Sequence, residues 1–284
     1  MEKLTRRPVS IIYLLTCLLM TASQTFPEAI PFSYARGLVE VDVILNGLVT
    51  GRFGLDTGAD QLYIDKGFAE RNNLPYFDSP TPRTIVSVAG RTSASPMEIQ
   101  SLDIGSERLI DLSALAIDID ALANVSDGDH PDGLIGYDLL RKYCITVDYT
   151  QNTIALHMGK PSFTHDSRHT AIPFTEHNHL ILVDVRLNDS CSGKMMVDLC
   201  SSYTLISPET AIKLGLKNDD ESLQSVSSIS LGKNAASTDV PVVVSDLKNF
   251  QSSHLKLAGI LGASFLKGHV VTIDCVGKTI YVHH

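Results

Sequence analysis

The chain has 284 residues, of which 44% are apolar and 19% charged, with 23 Lys and Arg against 32 Asp and Glu for a formal net charge of −9. That length allows one large domain or two small ones, and the acidic balance argues against nucleic acid or an anionic membrane surface as a partner. No Cys-x-x-Cys pair and no Cys/His ligand spacing occurs, so neither a metal nor another cofactor is expected.

In chain order, Lys3, Arg6 and Arg7 come first, then an apolar run from Val9 to Met20, then the small residues Thr21-Ala22-Ser23. This is the layout of a secretory signal, and the run is shorter than the roughly twenty apolar residues a membrane anchor needs. Residues 1–23 are therefore expected to be a signal cut near Ala22 or Ser23. The mature protein is then exported, to a periplasm or to the outside, with no stable membrane insertion.

Residues 24–160 read as a first lobe. Leu38 to Leu45 alternates apolar and acidic residues as a half-buried strand, and Asn46-Gly47 signals a hairpin. The returning strand runs through Phe53-Gly54-Leu55 into Asp56-Thr57-Gly58-Ala59, and Leu62-Tyr63-Ile64 re-enters apolar sequence. A carboxylate on a tight turn between two buried strands is costly unless chemistry uses it. A short helix-like stretch, 66–73, and a loop, 75–82, follow. Thr84 to Ser93 reads as strand, glycine turn and strand, with Val88, Ala89 and Gly90 at its small polar tip; it is either a flap or an ordinary surface hairpin. Beyond an acidic loop lie Gly133-Leu134-Ile135-Gly136, a short helix Tyr137-Asp138-Leu139-Leu140, a strand Ile145 to Tyr149, a turn at Gln151-Asn152 and a strand Thr153 to Leu156.

Residues 161–170 read as a linker rich in Pro, Ser and Thr, and 171–284 as a second lobe that repeats the first. At an offset of 142 residues, Val183-Asp184-Val185 matches Val41-Asp42-Val43, Leu187-Asn188 matches Leu45-Asn46, and Met195-Met196-Val197-Asp198 matches the strand that ends in Asp56. At an offset of 126, Gly259-Ile260-Leu261-Gly262 matches Gly133-Leu134-Ile135-Gly136, and Thr272-Ile273-Asp274 matches Thr146-Val147-Asp148. The second half thus lacks about sixteen residues between its two blocks, and a weaker hairpin is expected around Ser230-Leu231-Gly232-Lys233. Two copies imply two similar lobes, since a solenoid needs at least three repeats.

On these residues the chain resembles the aspartic peptidases, in their retropepsin-like and pepsin-like forms. The pattern is a hydrophobic strand into Asp-Thr-Gly-Ala-Asp, Asp56 to Asp60, and a later apolar-apolar-Gly segment, Leu134-Ile135-Gly136. It extends over nearly all of the chain after about residue 35. The resemblance implies an all-β, bilobal pepsin-like fold of two barrel-like lobes with a few short helices. It further implies a monomer that hydrolyses a peptide or protein substrate with an Asp56–Asp198 dyad under the flap. In the family, Thr57 donates its hydroxyl across the lobe interface to the partner loop. Gly58, lacking a Cβ, lets the backbone turn and present its N–H, and Ala59 is the retropepsin-like residue. The second loop departs from the pattern, because Leu199 and Cys200 stand where the family has Thr or Ser and then Gly. That departure leaves two alternatives: a scaffold that holds peptides without cutting them, and a dyad of Asp56 with the Asp56 of a second copy. Of the cysteines beyond the signal, Cys144 and Cys275 flank equivalent strands and are the better-placed disulfide pair, while a strand keeps Cys191 and Cys200 apart.

Overall fold

A computed structural model describes residues 28–34, 37–77, 83–87, 90–123, 130–159, 161, 168–218, 222–250 and 255–284. The expected signal, most of the linker (162–167) and the tip residues Val88 and Ala89 lie outside the described residues.

Each half of the chain closes into a ring of six strands. In the first, the spatial order is Glu40–Leu45, Val49–Leu55, Gly133–Ile135, Leu62–Asp65, Glu107–Ile117 and Arg91–Ile104, and the ring shuts where Ile44 and Leu45 face Asp103 and Leu102. In the second it is Leu180–Leu187, Cys191–Val197, Leu257–Leu261, Thr204–Ile206, Ala235–Val244 and Leu223–Leu231, shut where Arg186 and Leu187 face Ser230 and Ile229. Corresponding strands hold corresponding places, so the repeat in the sequence is a duplicated barrel. The molecule is all-β and bilobal, with a few short helices.

The same local devices build both copies. Alternation along Glu40–Leu45 turns Val41, Val43 and Leu45 inward and leaves Asp42 and Ile44 outside, each buried aliphatic side chain contributing about 1.5–3 kcal/mol. The following turns place Asn46 (φ 51°) and Gly47 (φ 70°), and then Asn188 (φ 48°) and Asp189 (φ 54°), in the left-handed region that tight hairpins need. Both asparagines do a second task. Asn46 Oδ1 accepts from the N–H groups of Gln100 and Ser101 at 2.8 and 3.2 Å, and Asn188 Oδ1 accepts from Ser228 N–H at 3.0 Å, fastening each turn to the strand that closes its barrel. Asp65 and Ser207 cap the helices Lys66–Arg71 and Pro208–Leu214, accepting from Phe68 N–H and Thr210 N–H.

A third sheet joins the lobes. Its order is Ile30–Pro31, Thr153–Met158, Tyr143–Asp148, Val270–Asp274, Thr279–His283 and His169–Pro173, three strands from each half. Thr146 faces Thr272, its own counterpart in the repeat, with their hydroxyls 2.9 Å apart. A residue that pairs with its own repeat marks the pseudo-twofold axis between the lobes.

This register corrects the expected disulfide. Cys144 stands opposite Asp274, so Cys275, one residue further on, is directed to the other face of the sheet. None of the four described cysteines is in a disulfide. Burial pushes both thiols up to about 12, with Asp274 adding to the effect at Cys144 and Cys144 adding to it at Cys275, so they stay protonated.

The missing sixteen residues also find their place. The first barrel extends Arg91–Ile104 beyond the ring and pairs that overhang with an extra strand, Arg83–Val86. The second barrel has the shorter Leu223–Leu231 and, among the described residues, no counterpart of Arg83–Val86. The turn near 230–233 therefore corresponds to the barrel turn at Gly105, not to the Thr84 to Ser93 hairpin: Gly105 (φ 55°) and Gly232 (φ 64°) link equivalent strand pairs.

Behind each aspartate loop the glycine elements pack at backbone distance. A Cβ on Gly136 would lie 2.2 Å from the carbonyl oxygen of Gln61, and one on Gly262 would lie 2.2 Å from that of Tyr203. Since backbone rather than a flexible side chain is in the way, Gly136→Ala is expected to cost about 3 kcal/mol in chemical denaturation. A loss below about 1 kcal/mol would contradict this packing.

Candidate active site

The two aspartates sit at equivalent points. Asp56 follows the strand Val49–Leu55 and Asp198 follows Cys191–Val197, and each strand runs parallel to the glycine strand of its own barrel. Asp56 N–H donates to Ile135 O and Asp198 N–H to Leu261 O, both at 3.0 Å. The loops are fixed once more when Tyr137 N–H donates to Ala59 O at 2.8 Å and Ala263 N–H to Ser201 O at 2.7 Å. Sequence spacing had aligned these blocks; the structure brings them into contact.

At the interface the carboxyl groups of Asp56 and Asp198 lie side by side against Gly58, each acting on the other's protonation. Asp56 Oδ1 accepts from the N–H groups of Gly58 at 2.8 Å and Ala59 at 2.9 Å, while Asp198 Oδ1 accepts from Cys200 N–H at 2.8 Å. Burial pushes Asp56 up to about 6, held back by the two N–H donors. Burial and then the charge of Asp56 push Asp198 well above the carboxylate range. Two donors on one acid and one on the other make Asp56 the easier to ionise and leave the shared proton on Asp198. Gly58 is required by the close approach: a Cβ there would lie 3.0 Å from Asp198 Oδ2 and 3.2 Å from Asp56 Oδ1.

The irregular second loop is held by the first. Thr57, fully buried, donates from Oγ1 to Val197 O at 2.8 Å and accepts from Leu199 N–H at 3.1 Å. Leu199 offers no hydroxyl in return; its side chain is fully buried in the apolar core. Cys200 keeps the N–H that serves Asp198, and its sulfur is accommodated by Gly54, where a Cβ would come within 3.1 Å of Sγ. The counterpart of Gly54 in the second lobe is Met196. The irregular Leu199-Cys200 loop is thus held by Thr57 and given room by Gly54, both of the other lobe. Thr57→Val would strand two buried backbone groups and is expected to destabilise the chain by about 2–3 kcal/mol. Thermal or denaturant unfolding measures it, and a change under about 0.5 kcal/mol would contradict the link.

Above the dyad lies a cleft of about 750 Å³. Ile85, Ile119, Leu122 and Leu134 line its first-lobe wall, and Leu180, Met196, Leu205 and Ile260 its second-lobe wall. Each wall belongs to a small apolar cluster separate from the main core. Asp60, the last residue of the first motif, bonds Arg83 Nη2 at 2.8 Å and the Tyr63 hydroxyl, tying the loop to the start of the extra strand. At the far end of that strand Ser87 N–H donates to Gly90 O at 2.9 Å, and Gly90 lies against the carbonyl of Ala121. Of the three expected tip residues only Gly90 is described. Asn249, which lines the cleft, escapes the sequence reading, which offers no local signal for it, while Ser87, also lining it, lies within the expected hairpin without being singled out. Among the described residues no cluster of His, Cys, Asp and Glu is suited to a metal ion.

The family model described as aspartyl protease matches residues 40–139 and 183–265, a segment of each barrel that includes its aspartate loop and stops short of the shared sheet. The chain belongs to the aspartyl protease family. No curated protein matches it.

Proposed function

We propose that this protein is an exported aspartic endopeptidase whose dyad, Asp56 and Asp198, is complete within one chain. The observation that carries the proposal is the pair of adjacent carboxyls on equivalent loops in one cleft. Ionised Asp56 takes a proton from a water held between the acids, and Asp198 donates its proton to the carbonyl oxygen of the scissile peptide. The water oxygen bonds the carbonyl carbon to give a tetrahedral diol. Its collapse breaks the C–N bond, with the proton on Asp56 passing to the leaving nitrogen and a diol proton returning to Asp198. The Thr84 to Ser93 hairpin serves as the flap, excluding bulk water and strengthening these interactions. The apolar walls favour extended substrates with apolar side chains on both sides of the cut.

Hydrolysis of peptides with paired apolar residues, blocked by a statine-type analogue of the tetrahedral intermediate, tests this reading. Specific activity independent of protein concentration is expected of a dyad within one chain; activity rising with dimerisation would place the dyad between copies. Export is supported by the layout of residues 1–23. A mature N-terminus near Ala22 or Ser23, read by mass spectrometry, is the expected result, and an unprocessed N-terminus would remove it. Among the described residues no helix is long and apolar enough to cross a membrane.

A further inference from the structure

The cleft is roofed by unlike parts of the two lobes. The first supplies the Arg83–Val86 strand with Ser87 at its end. Among the described residues the second has no such arm; its contribution is the short 3-10 turn Lys248–Phe250. Asp246 shapes this turn, its Oδ1 accepting from Lys248 N–H at 3.1 Å, and Phe250 N–H donates to Leu247 O at 2.9 Å. Leu247 is fully buried and Phe250 packs on the same cluster as Met196 and Ile260 of the cleft wall. The turn is thus anchored on both sides of Asn249, which stays exposed. From there Asn249 Nδ2 donates to Ser87 O at 3.1 Å, a contact between residues 162 apart in the chain. Ser87 is gripped from its own lobe as well: its Oγ donates to Leu122 O at 2.7 Å and accepts from Gly90 N–H at 3.1 Å.

We propose that Asn249 is the latch of the flap, a positioning residue on the second lobe that holds Ser87, and with it the roof, down over the dyad. Donor and acceptor sit on opposite lobes, so a polypeptide enters the cleft only when this bond opens, and the reactive complex is complete only when it closes again. The effect on turnover rests on the peptidase reading; the latch itself does not.

Asn249→Ala removes the donor at an exposed position and leaves the anchors of the turn in place. Backbone hydrogen exchange at residues 84–87 and 90–92 is expected to quicken by about 2- to 10-fold, the size of one neutral hydrogen bond, with exchange in Thr153–Met158 unchanged. Asn249→Gln, which keeps an amide donor, is expected to restore slow exchange. On a peptide substrate, Asn249→Ala is expected to lower kcat by a similar factor. Unchanged flap exchange in Asn249→Ala would overturn the latch whatever happens to turnover. Faster exchange with unchanged kcat would overturn its positioning role. Faster exchange in a chain whose wild type hydrolyses nothing would keep the latch and overturn the peptidase reading instead.

Discussion

Asp198→Asn is expected to make the folded chain more stable at pH 7, by at least about 1 kcal/mol, the worth of a single pKa unit, and to leave its stability nearly unchanged at pH 3. The reason lies in the dyad. Asp56 rises from its ordinary 3.8 to about 6, and Asp198 rises further because it meets the charge of Asp56 in a buried place. A carboxyl whose pKa is raised by folding adds stability that is fully present below about pH 4 and is lost as the pH climbs through its folded value. At neutral pH the native dyad must hold a proton that the unfolded chain has released. Asparagine is neutral at every pH and removes the cost of protonating Asp198, while burial still raises Asp56. Half-buried His269 and His283 act with the opposite sign. Partial burial lowers both, with His284 a further cause at His269 and His169 and His284 at His283, so their contribution is present above about 6.5 and lost as the pH falls. The difference between wild type and Asp198→Asn cancels the histidines and isolates the dyad. Denaturant midpoints at pH 3, 5 and 7 measure it; a variant no more stable than wild type at pH 7 would mean that the acids do not share a proton.

The same substitution is expected to abolish turnover. Asp56→Asn and Asp198→Asn should each lower kcat/KM by about a thousand-fold or more, the scale of losing a general base or acid. Both variants should stay folded, since an amide oxygen can still accept from Gly58 and Ala59, or from Cys200. The losses should not add in the double variant, because the two acids work as one unit. A binding scaffold would behave otherwise: wild type would be inert and the variants would bind peptide as well as it does.

Much of this was legible because duplication supplies its own control. The repeat around Asp56 and Asp198 names both acids even though only the first carries Thr-Gly, and Asn46 and Asn188 foretell matching turns. Other features depend on register between distant strands, which no local pattern encodes. The pairing of Thr146 with Thr272, and so the shared sheet and the separation of Cys144 from Cys275, belongs to this group. The Leu199-Cys200 loop reads only as a departure from the pattern, because the residues that hold and accommodate it, Thr57 and Gly54, lie on the other lobe. Asn249 is least legible of all, a single exposed amide whose partner is a backbone carbonyl.

The central claim is that Asp56 and Asp198 act together in one chain despite that second loop. The most direct measurement is the pH dependence of peptide cleavage between pH 3 and 7 for wild type, Asp56→Asn and Asp198→Asn. A bell-shaped wild-type profile, with both variants inactive at every pH, is the predicted result. Cleavage that persists in Asp198→Asn with an unaltered pH profile would contradict the account.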